Sequence, residues 1–118
     1  MTPLSQLQLP AVSEVLIRVR GRWGKTVRAE DKAAQAIADL WQRLPPGKQK
    51  RCHTPVYELQ FLSDGLLICL ATVCWRCNNV RGTAGGRSIA FEFDSEADIS
   101  QQLLAEIRRV NPGRREDA

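Results

Sequence analysis

The sequence predicts an α+β domain: a mainly antiparallel sheet of about four strands with two helices packed on one face, in the order β-α-β-β-β-α. Three observations carry this prediction. Apolar and polar residues alternate from Glu14 to Arg20 and again from Ser88 to Phe93. Apolar residues recur at three- and four-residue spacing from Glu30 to Leu44 and again after Ser95. Asp64-Gly65 separates two apolar runs, which is a strong two-residue hairpin signal.

The elements follow in order. Residues 1–13 have no clear period, contain Pro3 and Pro10, and read as an arm laid on the body through Leu4, Leu7 or Leu9. Glu14 to Arg20 is a half-buried strand, with Val15, Ile17 and Val19 on its inner face. Gly21 to Lys25 is a turn region. Glu30 to Leu44 is a helix whose core stripe is Ala33, Ile37, Leu40, Trp41 and Leu44. Glu30 and Asp31 suit its positive N-terminal end, and Pro45-Pro46-Gly47 stops it.

The hairpin comes next. A type I′ turn at Asp64-Gly65 sets Ser63 opposite Leu66. Counting outward pairs Phe61 with Ile68, Leu59 with Leu70 and Tyr57 with Thr72 on one apolar face. The same count brings Pro55 opposite Cys74 and Cys52 opposite Cys77. Asn78 to Arg87 reads as a Gly-rich connection, with Asn78 and Asn79 suited to positive φ. Ser88 to Phe93 is a further strand. Ser95 to Asp98 resembles a capping box. The helix after it carries Ile99, Leu103, Ile107 and Val110 on one stripe until Asn111-Pro112-Gly113. The organisation is therefore an arm (1–13), one α+β domain (14–111) and a charged tail (112–118).

A chain of 118 residues can bury a core without obligatory staples. Its longest apolar run, around Leu66 to Val73, is strand-sized, so no membrane partner is expected. The first residues lack a basic start followed by an apolar stretch, which predicts cytoplasmic residence and reduced thiols. That setting favours metal ligation or inert thiols over a disulfide. The net charge of +4 is unevenly spread. Arg18, Arg20, Arg22, Lys25 and Arg28 cluster early, whereas Glu92 to Glu106 is acidic. Such polarity suits an acidic protein partner or nucleic acid, or is simply a solvated face. Arg18 to Lys25 also includes Trp23, and basic residues mixed with an aromatic can bind single strands, although no nucleic-acid-binding motif accompanies them. Arg18, Arg20, Arg22, Lys25, Trp75 and Arg76 are the candidate interaction surface.

Four cysteines carry the chemistry. The hairpin count gathers Cys52, Cys74 and Cys77. Cys69 lies five residues before Cys74, so alternation sends it to the other face as a small buried hydrophobe. Structural zinc takes four ligands, and Cys74-Trp75-Arg76-Cys77 supplies two at a suitable bite. Cys52 would be the third and His53 the candidate fourth, although neighbours on a strand point apart. The same spacing is that of dithiol oxidoreductases, but Asn78 to Gly82 is a poor helix to follow the pair. The remaining reading is a structural cluster of packed thiols or a cross-strand disulfide. His53 is the only histidine. The Gly82 to Arg87 loop lacks the lysine and helix of a phosphate loop.

Arg51-Cys52-His53-Thr54-Pro55, the strand around Phe61, Cys74 to Asn79 and Phe91-Glu92-Phe93-Asp94 together resemble a group of small bacterial proteins of uncharacterised function. These are similar in having a Cys-x-x-Pro segment, an alternating strand and then Cys-aromatic-x-Cys. The resemblance spans residues 51–107. It implies a small stand-alone α+β domain and brings no activity, cofactor or catalytic residue.

The leading expectation is a non-enzymatic protein-binding module whose cysteine cluster stabilises a hairpin, with a toxin-neutralising immunity protein as one concrete form. A zinc-stabilised module contacting nucleic acid and a dithiol redox protein using Cys74 and Cys77 are the alternatives.

Overall fold

The computed structural model describes residues 3–21 and 24–113. Six strands form one sheet: β1 (Glu14–Val19), β2 (Thr26–Glu30), β3 (Tyr57–Ser63), β4 (Leu66–Cys74), β5 (Asn79–Ala84) and β6 (Arg87–Glu92). Their order is β2-β1-β3-β4-β5-β6, and every neighbouring pair is antiparallel. Helices α1 (Asp31–Gln42) and α2 (Asp98–Val110) complete the α+β architecture. The class is as expected, but the sheet has six strands rather than four. The first strand, whose neighbours the pattern left open, sits between β2 and β3.

The two extra strands have separate explanations. In β2 only Val27 and Ala29 alternate inward, and Glu30 then becomes the extended N-cap residue of α1. A five-residue strand that runs directly into a helix shows almost no period of its own. In β5 the glycine was misleading. A Cβ at Gly82 would strike the Leu70 carbonyl of β4, so Gly82 allows two backbones to approach within a regular ladder.

One sheet face is buried under the helices. Val15, Ile17, Val19, Ala29, Tyr57, Leu59, Phe61, Val73, Val80 and Phe91 belong to this core, together with Ile37, Leu40, Trp41, Leu44, Leu103 and Ile107. Trp41 of α1 packs on Phe61 with ring centroids 5.0 Å apart. The arm joins the same core: Leu4 is buried, Leu7 and Leu9 pack against it, and Gln42 Nε2 donates to the Leu7 carbonyl at 2.9 Å. At the other end of the chain, Asn111 Nδ2 donates to the carbonyls of Ile17 (2.8 Å) and Lys25 (2.9 Å). Tyr57 Oη donates to the Pro112 carbonyl at 3.2 Å. Of the expected charged tail, Arg114 to Ala118 lie outside the described residues.

The β3–β4 hairpin turns where expected, with positive φ at Asp64 (48°) and Gly65 (83°). Ser63 faces Leu66 and Leu62 faces Leu67, but Phe61 then faces Cys69. Ile68 is thus an extra, bulged residue, and the expected pairs beyond it are displaced by one. Leu59 pairs with Ala71 and Tyr57 with Val73, instead of Leu70 and Thr72. The bulge places small side chains, Cys69 and Ala71, beside Phe61 and Leu59. That leaves room for the Trp41 indole against Phe61.

The expected capping box is replaced by another arrangement. The α2 N-cap is Ala97, without a side-chain cap. Asp94 does the local work: its Oδ1 accepts from the Glu96 N–H at 3.0 Å, and its carbonyl accepts from Ser100 Oγ. Ser95 offers only its carbonyl, to Gln101 Nε2 at 2.7 Å.

Candidate thiol–disulfide site

Strand alternation after the bulge sets this site. Cys69, Ala71 and Val73 face the helices, so Thr72 and Cys74 turn to the opposite face. Trp75, next in phase, returns to the core. Its Nε1 donates to the Ser100 carbonyl at 3.0 Å, and its ring meets Phe93 edge-on at 5.8 Å. Trp75 was expected on an interaction surface; it is buried instead, because alternation directs it beneath α2.

Residues 75–78 turn the chain from β4 into β5, with Asn78 in the left-handed region at φ 57°. Across this turn lies the irregular stretch that leads into β3. Cys52 and Cys77 are joined as a disulfide, their Cα atoms 5.5 Å apart. The expected convergence of Cys52 with Cys77 is present, but by another route. The ladder ends at Tyr57–Val73, and residues 52–56 fold over the turn beyond it. Reduced thiols were expected to favour metal ligation or inert thiols over a disulfide, with a cross-strand disulfide as the remaining reading; the structure joins Cys52 to Cys77. The disulfide is asymmetric: Cys52 is exposed and Cys77 fully buried.

Cys74 is the third member and remains a free, buried thiol. The Cys77 N–H donates to Cys74 Sγ at 3.2 Å, and Cys74 Sγ contacts the Thr54 carbonyl at 3.5 Å. Thr54 Oγ1 lies 3.9 Å from Cys74 Sγ and 3.7 Å from Cys77 Sγ, so one hydroxyl touches both sulfurs. Cys69 is apart from this group, in the core, as expected. Burial pushes its thiol from 9.0 up to about 12.

His53 closes the site with a hydrogen-bond network. Its Nδ1 meets Asn79 Oδ1 at 2.5 Å and its Nε2 meets Thr72 Oγ1 at 2.7 Å. Asn79 Nδ2 in turn donates to the Cys52 carbonyl at 2.6 Å, and Thr72 Oγ1 contacts the Arg81 carbonyl at 3.1 Å. Lys50 Nζ donates to the Arg76 carbonyl at 3.2 Å. These bonds fasten residues 50–54 to the β4–β5 turn independently of the disulfide. Asn79 and Thr72 carry the anchor, and neither was among the expected site residues. Thr72 was legible, since it lies two residues before Cys74 on the same strand and shares its face; Asn79 faces Cys74 only across the β4–β5 ladder, in a stretch expected to be a Gly-rich connection.

For the proposed zinc set, the structure brings Cys52, Cys74 and Cys77 together and turns His53 into protein hydrogen bonds at both ring nitrogens. While Cys52 and Cys77 are bonded to each other, neither is a thiolate donor. Among the described residues, no three Cys, His, Asp or Glu side chains are grouped to hold a metal ion.

The proposed basic surface is elsewhere. Arg20, Lys25 and Arg76 are exposed; Arg22, together with Trp23, lies outside the described residues. Arg18 Nη1 is 3.8 Å from Glu58 Oε2, and Arg28 Nε is 3.1 Å from Glu14 Oε2. Surface pairs of this kind contribute little, about 0–1 kcal/mol. Among the described residues, no helix is long and apolar enough to cross a membrane.

A second concave feature lies at the far end of the hairpin. A cavity of about 780 Å³ opens between the arm and the tips of β4, β5 and β6, lined by Leu7, Leu9, Ile68, Ala84, Arg87 and Ile89 among others. Beside it, Leu66 and Leu67 are 71% and 55% exposed. No protein-family model, curated protein or solved structure matches this chain.

Proposed function

We propose that this chain is a non-enzymatic protein-binding module that receives an extended, apolar segment of a partner protein. The observation that carries the reading is the groove between the arm and the strand tips, flanked by exposed Leu66 and Leu67. Its volume is within the range of specific binding clefts, roughly 300–1,000 Å³. Two adjacent exposed leucines on a hairpin tip are unusual for a surface with no partner.

The neighbouring edge supports an extended segment. No strand pairs with the outer side of β6 among the described residues, from Arg87 to Phe91. That edge is closed only at its far end, where the Gly47 N–H donates to the Glu92 carbonyl at 3.0 Å and Pro46 bridges Phe93. An open edge beside an apolar groove is the geometry of strand addition, in which backbone bonds give affinity and side-chain pockets give selectivity. In this reading the cysteine cluster is a clamp that fixes the opposite end of β4.

The test is affinity capture with wild type and with the Leu66→Asp, Leu67→Asp double variant. Both positions are solvent-exposed, so the fold should survive the change. A partner held by wild type and lost by the variant supports the module, and the partner's identity tests the toxin-neutralising form. A partner retained equally by both proteins refutes this surface.

A further inference from the structure

We infer that Cys52, Cys74 and Cys77 form a thiol–disulfide exchange centre, in which Cys74 resolves the Cys52–Cys77 bond and delivers a free thiol to the surface at Cys52. The inference does not rest on the protein-binding reading, because the groove lies at the other end of β4.

Three observations carry it. Cys74 is a free thiol held over the disulfide: the N–H of Cys77 itself donates to Cys74 Sγ at 3.2 Å, and Thr54 Oγ1 spans the Cys74 and Cys77 sulfurs. The Cys-x-x-Cys spacing can close its own disulfide, so the Cys74–Cys77 product is sterically accessible. Cys52 is the exposed member and the other two sulfurs are buried, so exchange converts an interior thiol into a surface thiol.

The step balances without an external oxidant. The Cys74 thiol gives its proton to solvent, and the thiolate attacks Cys77 Sγ. The Cys74–Cys77 bond forms as the Cys52–Cys77 bond breaks. The electron pair leaves on Cys52 Sγ, which takes up a proton at the surface. One disulfide and one thiol are present before and after. Cys69 is not a competing nucleophile, since it lies on the helix-facing side of β4. After exchange, residues 50–54 stay near the turn through His53, Asn79 and Lys50, with Cys52 free to react.

The experiment is disulfide mapping of the air-oxidised, full-length protein after incubation at mildly alkaline pH and trapping with iodoacetamide. Trypsin alone cannot resolve the isomers. Cys52 and Cys74 share the peptide 52–76, and Cys77 begins the next one. A second cleavage after Glu58 separates them. The expected result is alkylated Cys52 together with a Cys74–Cys77 linked pair. That Cys52 label should be lost in Cys74→Ser. Because Cys74→Ser could disturb folding, Cys52→Ser gives an independent readout: on oxidation with diamide it should form the Cys74–Cys77 bond. The inference is overturned if wild type yields only Cys52–Cys77, if Cys52 is alkylated equally in Cys74→Ser, or if oxidised Cys52→Ser leaves Cys74 and Cys77 as separate thiols.

Discussion

Replacing Cys52 by Ser should cost this domain about 3.5 kcal/mol, nearly all of it through the unfolded chain. The disulfide closes a loop with a sequence separation of 25 residues. Loop-closure entropy for that length is about 12 cal/mol/K, which gives about 3.5 kcal/mol at 25 °C. Cys52 is exposed, so the substitution removes little packing, and the anchors from His53, Asn79 and Lys50 do not involve its sulfur. A chain of 118 residues unfolds with an entropy of about 0.25 kcal/mol/K, so the midpoint should fall by about 14 °C. Calorimetry of oxidised wild type against Cys52→Ser measures this directly. Adding reductant should bring wild type to the same midpoint, and a Cys74–Cys77 bond formed in the variant should restore less than half of the loss, about 1.6 kcal/mol by the same relation, because its loop is short. The reasoning fails if mapping confirms Cys52–Cys77 in wild type and yet the variant loses less than about 1 kcal/mol.

Further expectations concern the core, the sheet and the metal. Because burial raises the Cys69 pKa from 9.0 to about 12, its contribution is fully present below pH 9 and is lost as pH rises towards 12. The full loss is about 4 kcal/mol, to order of magnitude, and urea unfolding at pH 8 and pH 11 should show a shallower decline in Cys69→Ala than in wild type. Gly82→Ala should destabilise the fold by about 1–3 kcal/mol, read as a lowered denaturation midpoint, because the added Cβ meets the Leu70 carbonyl and the Ala71 backbone. Zinc uptake should depend on redox state: oxidised protein should hold well under one equivalent, and protein kept reduced should bind more through Cys52, Cys74 and Cys77. Metal analysis of both forms checks this, and equal zinc in the two would refute it.

The parts of the fold that were legible had a period and a sharp boundary. The α1 and α2 stripes, the Asp64-Gly65 turn and the burial of Cys69 were all readable from spacing. β2 was not, because its two inward positions are too few to show a period before α1 begins. β5 was hidden by Gly82, whose role is close packing between backbones rather than flexibility. The gathering of Cys52 with Cys77 was legible from the hairpin, although the count that gave it omitted the bulge. Side-chain phase was the real loss. A local bulge has no strong sequence signature, and it exchanged the two faces of β4 beyond Ile68.

That bulge has a consequence for which changes the chain can tolerate. Six residues separate Ile68 from Cys74, or roughly 20 Å of strand. Deleting Ile68 would leave a regular ladder with Cys69 still opposite Phe61, so the inward phase of Cys69, Ala71 and Val73 would survive. A one-residue insertion or deletion between the bulge and Cys74 would instead turn every later side chain over, and Cys74 would swing towards the helices and away from Thr54 and Cys77. The sulfur chemistry at one end of the strand therefore tolerates a change in residue count at the bulge but not beyond it.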